Sequence, residues 1–249
     1  MRGLMSEQTI STPDTIRVEL VSTKAKNSKT YVIDLRVNSP GALSYFDFGG
    51  LNTAPAMVRL AKAKGLDVIA ITDFYSATYV DKAKLAAKES ELTVLPGVMI
   101  RAQILDCNEV MLCCIFPENY TSGKISEFLQ ALEVPASAAF NREYIVKTDL
   151  HEIMKIAAEF NAIVFPSRMD KTPHRKAAIK SLISDYGFTA FDLAHYEDSV
   201  RWFKHMWPDQ EFALLSFSNA NVLAQVGNRS TVVSMSTPGY SGLKALITG

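Results

Sequence analysis

Two arginines, three asparagines and one aspartate carry most of the chemistry that the order of residues suggests. Arg36 and Asn38 fall at the end of an alternating stretch, residues 31–38. Asp73 follows the apolar run from Val68 to Ile71, Arg168 follows residues 162–165, and Asn219 and Asn221 follow residues 212–218. Guanidinium and amide groups gathered in one place bind anions, because both present N–H donors and a guanidinium keeps its charge. The same inventory is poor in hydrolytic groups. The four histidines are scattered. His151 and His174 lie in helix starts, His205 follows Trp202, Phe203 and Lys204, and only His195 ends a strand where it could face the others. No nucleophile motif supports a Ser–His–Asp triad. One carboxylate and one imidazole without clustered histidines do not make a metal site by ordinary ligand chemistry.

The elements that must position these groups are legible as alternating strands and helices. In residues 15–22, Ile16, Val18 and Leu20 face one way and Arg17 and Glu19 the other, which predicts a half-exposed strand. A polar turn, 23–30, leads to residues 31–38. There Ile33, Leu35 and Val37 share one face, and Asp34, Arg36 and Asn38 share the opposite, wetter one. Thr53 is placed to cap a helix that Gly65 stops. Val68 to Ile71 suits a strand buried on both faces. A helix over 81–90, strands over 92–95 and 98–105, and a turn at Asp106, Cys107 and Asn108 into 109–116 follow; the last two strands form a hairpin set into the alternation. Asp149 and Glu152 form a capping box. Thr172 and Pro173 open another helix that Gly187 ends. Further strands over 188–194, 212–218 and 231–235 separate helices over 199–206 and 219–225. Alternation of this kind predicts an α/β chain with a mainly parallel sheet, closed into a TIM-like barrel, with the site at the C-terminal ends of the strands.

Composition narrows the function further. The chain has 249 residues, of which 48% are hydrophobic, with 26 Lys+Arg against 26 Asp+Glu. A net charge of zero disfavours a protein that coats nucleic acid by bulk charge. No apolar run reaches a membrane span, and the first 14 residues lack a signal-peptide core. These features predict a cytoplasmic protein without a membrane partner. Cys107, Cys113 and Cys114 have neither metal-finger spacing nor a disulfide framework, and read as buried free thiols.

Three segments resemble the PHP (polymerase and histidinol phosphatase) superfamily. Asp34-Leu35-Arg36-Val37-Asn38-Ser39-Pro40 is similar to its opening D-L-H-x-H-S motif. The run from Lys62 to Thr72-Asp73 is similar to the helix and strand ending in T-D-H. Leu95-Pro96-Gly97-Val98-Met99 is similar to P-G-x-E. The resemblance covers roughly residues 31–246. It implies a distorted TIM-like (β/α)7 barrel over 31–249, preceded by an N-terminal arm and extra strand over 1–30. It also implies a cluster of up to three Zn, Mn or Fe ions that make hydroxide and clamp a phosphate ester.

The residues at the implied ligand positions are of other types. Arg36 and Asn38 stand where the opening motif has histidines, Phe74 replaces the histidine of T-D-H, and Met99 replaces the glutamate of P-G-x-E. Met111, Arg168 and the pair Asn219 and Asn221 occupy the remaining positions, and only Asp73 keeps its type. Arginine cannot be deprotonated to bind a metal, and Phe offers no donor. The expectation is therefore a non-catalytic barrel without a metal cofactor, kept to bind an anion or to assemble with a partner. Degenerate PHP domains that serve as platforms in bacterial replicative polymerases are the precedent, by analogy.

Several alternatives stay open at this point. Arg36 and Arg168 can meet a phosphate-containing small molecule, or be satisfied internally, Arg36 by Asp73 and Arg168 by Asp170 or Glu197. Asn38, Asn219 and Asn221 divide the same way. Phe74, Met99 and Met111 fill the vacated volume, or with Cys113 offer a soft Cu(I) site. Trp202, Phe203, Met206 and Trp207 are core or a sticky face for a protein partner. A residual phosphoesterase with one Mg or Mn ion near Asp73, assisted by Asn38 or Asn221, is the alternative function.

Overall fold

The computed structural model describes residues 11–12, 15–19, 28–40 and 52–248. Much of the expected arm over 1–30, with most of the turn over 23–30, lies outside the described residues. In chain order the elements are β1 (Ser11–Thr12), β2 (Thr15–Glu19), β3 (Lys29–Val37), α1 (Ala54–Ala63), β4 (Val68–Ile71), α2 (Val80–Ala87), β5 (Thr93–Ile104) and β6 (Cys107–Ile115). They continue as α3 (Ser122–Ala131), α4 (Leu150–Glu159), β7 (Ile163–Pro166), α5 (Pro173–Ser184), β8 (Ala190–Asp192), α6 (Tyr196–Met206), β9 (Ala213–Leu215), β10 (Arg229–Met235) and α7 (Tyr240–Thr248).

The sheet is a curled, mixed one. Eight strands run in the order β1-β2-β10-β3-β4-β5-β6-β7, and β8 and β9 form a separate parallel pair. Single bridges join the two, Ser167 to Asp192 on one side and Val37 to Ala220 on the other. The expected seven-stranded barrel is met in this coarse form only. The chain between β7 and β3 makes three-residue strands, and Arg168 and Asn219 turn it sharply at φ 53° and 52°, which cuts short any longer ladder. Residues 15–19 do pair as a strand, parallel to β10, but the far side of β2 is covered by β1, so it is not the sheet's free edge.

Local rules account for most of the elements. Asp149 caps α4 by accepting from the Glu152 N–H, and Thr172 caps α5 by accepting from the Arg175 N–H. Gly65 ends α1 in the left-handed region at φ 69°, where a Cβ is disfavoured. Thr53 does not cap α1; its hydroxyl pairs with the Tyr79 hydroxyl at 2.8 Å. The strands expected over 92–95 and 98–105 are one continuous β5 that runs through Pro96 and Gly97 and folds back at the expected hairpin onto β6. The stretch 219–225 forms only a 3₁₀ turn at its end, Leu223–Gln225.

Helix-facing Ile33, Leu35 and Val37 are fully buried. The opposite face of β3 is not wet as expected: Asp34, Arg36 and Asn38 are at most 6% exposed, because that face points into the curl of the sheet. Phe203 is buried at 1% and meets Phe191, Phe212 and half-buried Trp202 and Trp207 in tilted and edge-to-face contacts, so the tryptophans belong to the core under α6.

Candidate functional site

The C-terminal ends of β3, β7 and β8 and the stretch after β9 meet on one hydrogen-bonded rim. At its centre is Arg36. Its Nη1 donates to Ser167 Oγ at 2.8 Å and to Asp192 Oδ2 at 3.2 Å, and its Nη2 donates to Asn219 Oδ1 at 2.6 Å. Ser167 Oγ in turn donates to Asp192 Oδ2 at 2.5 Å. The counter-ion of Arg36 is therefore Asp192, not Asp73. Asp192 has the position of the next strand's inward-facing residue, which the sequence reading missed. Its carboxyl is pushed up from the usual carboxylate range by burial, against the pull of Arg36 and Ser167.

The rim extends from Asn219. The Asn221 Nδ2 donates to the Asn219 carbonyl at 3.1 Å, and Asn221 Oδ1 accepts from Asn38 Nδ2 at 3.2 Å. Asn38 Nδ2 also donates to the Ala220 carbonyl at 3.0 Å. A further arginine, Arg142, closes this end: its Nη2 donates to Asn221 Oδ1, and its guanidinium lies over the Phe74 ring, 5.7 Å from the centroid. Nothing in the local sequence marks Arg142, which lies in an irregular stretch between α3 and α4. Only the fold brings it to the strand ends.

At the other end stands Arg168. Its backbone is held at φ 53° while its N–H donates to the Asp192 carbonyl at 2.6 Å. Burial pulls its guanidinium below the usual arginine range; Asp192 and Asp170 raise it, and Arg36 and Arg229 lower it further. The expected partners are otherwise engaged or absent. Asp170 accepts from the backbone N–H groups of Ala194 and His195 and from Ser199 Oγ, and Glu197 makes no ion pair with Arg168. Among the described residues, no hydrogen bond or ion pair reaches the Arg168 guanidinium. Arg229 shares this neighbourhood, with one nitrogen on the Ala194 carbonyl at 2.6 Å.

Asp73 sits deeper. Its Oδ1 accepts from the Ser39 N–H at 2.7 Å, while its Oδ2 and the Ser39 hydroxyl have no hydrogen-bond partner among the described residues. Burial pushes its carboxyl up to about 6, against the pull of Ser39 and Arg142. Asp34 was not singled out from the sequence, yet it ties the rim's backbone together. It accepts from the N–H groups of Arg36, Ser218 and Gly227, and burial raises its carboxyl as well.

Phe74, Met99 and Met111 are 6%, 0% and 7% exposed, and Phe74 bridges to Met99. Cys113 pairs across from Met99, with its thiol near the Leu35 carbonyl and pushed well up by burial. His195 is exposed at the start of α6, and His151, His174 and His205 are exposed elsewhere. Among the described residues, no three His, Cys, Asp or Glu side chains lie together as a metal-binding group. No helix among them is long and apolar enough to cross a membrane.

No family model and no curated protein matches the chain. Solved structures do. A lesion-specific endonuclease from Pyrococcus furiosus superposes with a TM-score of 0.65 at 16% identity, over 88% of this chain and 56% of the endonuclease. This chain thus spans little more than half of that protein's length. A protein from Bifidobacterium adolescentis named a metal-dependent phosphoesterase gives a TM-score of 0.50 at 14% identity, over 77% of this chain and 88% of its own. An amidohydrolase from Chromobacterium violaceum, solved with bound sulfate and no metal, gives 0.50 at 12%, over 73% and 87%. What these proteins share with this chain is a fold.

Proposed function

We propose that this chain is a non-catalytic member of the PHP-like fold that binds a phosphate-type anion at its strand ends. One observation carries the reading: the half-buried Arg168 guanidinium, beside Arg36 and Arg229, is without a hydrogen-bonding partner among the described residues. Buried cations are paired in folded proteins, since an unpaired one forfeits solvation without return. An anion seated there completes the set. Arg36 already donates to Asp192, Ser167 and Asn219, so its role is to hold the rim, and Arg168 makes the contact. A fold-mate solved with sulfate and without metal fits the same chemistry.

The residues present do not fit the metal cluster of the fold's hydrolytic members. Among the described residues, the buried hard oxygens left over at the site are Asp73 Oδ2 and the Ser39 hydroxyl. The positive charge of Arg142, which lies over the ring of the adjacent Phe74, acts on Asp73, while Asn221 Oδ1 is taken by Asn38 and Arg142. A divalent ion needs several oxygens and no adjacent cation. The orphaned Asp73 oxygen keeps a second reading in view, a single Mg or Mn ion supporting residual phosphodiester hydrolysis.

Calorimetric titration with inorganic phosphate and sulfate, alongside elemental analysis of protein purified without chelator, separates the readings. The anion reading expects stoichiometric phosphate binding that Arg168→Ala abolishes, with no stoichiometric transition metal. Equal binding by the variant refutes it. Magnesium- or manganese-dependent hydrolysis that Asp73→Ala removes establishes the second reading instead.

A further inference from the structure

We infer that the hollow beside the β5–β6 hairpin docks a partner protein through a basic side chain with an apolar neighbour. None of its lining residues belongs to the strand-end rim, and the inference does not rest on the anion reading. The cavity measures about 790 Å³, within the range of ligand pockets. The hairpin turn from Gln103 to Asn108 forms one wall. Lys147, Asp149 and Leu150, at the entry to α4, face it together with His174 from the start of α5 and Tyr186 from the turn after it. The walls are braced. Arg175 of α5 pairs with Glu109 of β6 at 2.9 Å, Ser181 Oγ donates to Asp106 Oδ2 at 3.0 Å, and the Val146 N–H donates to the Arg101 carbonyl at 2.8 Å. The hollow is therefore formed before a partner arrives.

Charge selects the occupant. Asp106 and Asp149 are exposed, and neither makes an ion pair among the described residues. Each also keeps an oxygen without a hydrogen-bond partner among them, since Asp106 accepts only through Oδ2 and Asp149 only through Oδ1. Burial pushes up the Tyr186 phenol, and Asp185, Asp149 and Asp106 push it further, so these carboxylates gather around that hydroxyl. Lys147 is the one lysine or arginine of the lining. A lysine or arginine of a partner lays its aliphatic stem on buried Leu150 and Cys107 and brings its charge to the carboxylates. Leu105 makes that cation part of a polypeptide. It is fully exposed at the hairpin turn, where polar residues are the rule. Covering it takes an apolar group beside the cation, which a free amine lacks. The exposed amides of Gln103 and Asn108 suit the peptide groups in between.

The test is calorimetric titration of the full chain with the blocked tripeptide acetyl-Leu-Arg-Leu-amide, the same peptide with citrulline for arginine, and arginine amide. The arginine peptide is expected to bind about fivefold tighter than the citrulline peptide, and less tightly as salt is raised. Asp106→Asn keeps an acceptor for Ser181 and Asp149→Asn keeps the cap of α4, so both variants fold; each should weaken the arginine peptide about threefold. Leu105→Ser should weaken the peptide and leave arginine amide unchanged. Equal affinity for the arginine and citrulline peptides, or no binding of either at millimolar concentration, overturns the inference. Arginine amide binding as tightly as the peptide assigns the hollow to a free cation and overturns the protein partner.

Discussion

Arg36 and Asp192, 156 residues apart, meet at 3.2 Å with side chains 4% and 0% exposed, and so tie β3 to β8 across the gap that the sheet leaves open. Among the described residues, single β-bridges and side-chain hydrogen bonds join those two parts of the sheet, so this ion pair does part of the work that a strand ladder does elsewhere. Removing one partner leaves the other charged and buried. We expect Arg36→Ala and Asp192→Ala each to cost about 3–5 kcal/mol in denaturant unfolding, because an uncompensated interior charge is the dominant penalty. The double replacement Arg36→Met with Asp192→Leu should cost less than the two single losses combined. Single variants within ~1 kcal/mol of the parent would show that the pair is not holding the two parts together.

Asp73 makes stability fall as the pH rises. Its folded value of about 6 lies above the ordinary 3.8, so the folded state holds the proton more tightly than the unfolded chain does. The contribution is fully present below 3.8 and is lost as the pH climbs through about 6. About two units of displacement correspond to roughly 3 kcal/mol at neutral pH. Asp73→Asn keeps an acceptor for the Ser39 N–H and removes the charge. It should raise the melting temperature at pH 8, and flatten its dependence between pH 4 and 7. An unchanged pH profile in the variant would refute the assignment.

Gly97 is a packing prediction. A Cβ there would lie 2.8 Å from Thr72 Cγ2 and 3.0 and 3.1 Å from the carbonyl oxygens of Ile71 and Cys114, two of the three being backbone that cannot swing away. Gly97→Ala should destabilise the fold by roughly 1–3 kcal/mol in a urea titration, by prising β4 from β5. A neutral substitution would mean that the two strands are looser than their register indicates.

Burial raises the Cys107, Cys113 and Cys114 thiols, and all three are at most 2% exposed. Since the thiolate is the reactive form, a disulfide reagent at pH 8 should label none of them in the native protein and all three in denaturant. Rapid labelling without denaturant would count against this packing.

The fold was legible where local rules act alone. The apolar run from Val68 to Ile71, the Asp149–Glu152 capping box, and the Thr172-Pro173 opening each specify an element from a few adjacent residues, and each appears where expected. The site was legible only in part. Alternation placed Arg36 and Asn38 on the inward face of β3, but their partners come from a strand too short to show a period and from loops. Asp192 lies at the end of a three-residue strand, and Arg142 lies in an irregular stretch. Thr53 shows the opposite failure: its type and position suit a cap, but the Tyr79 hydroxyl competes for it.

By itself the order of residues determined which side chains could reach the strand ends, since period-two alternation and the lengths of apolar runs are properties of the local backbone. It also determined that most of those side chains are guanidinium, amide or apolar. The tertiary structure decided which charges cancel. Arg36 is paired with Asp192, and the Arg168 guanidinium is left without a hydrogen bond or close ion pair among the described residues, with Asp192 and Asp170 acting on it from farther off. That outcome depends on distances between segments more than a hundred residues apart, set by the curl of the sheet and invisible to any local pattern.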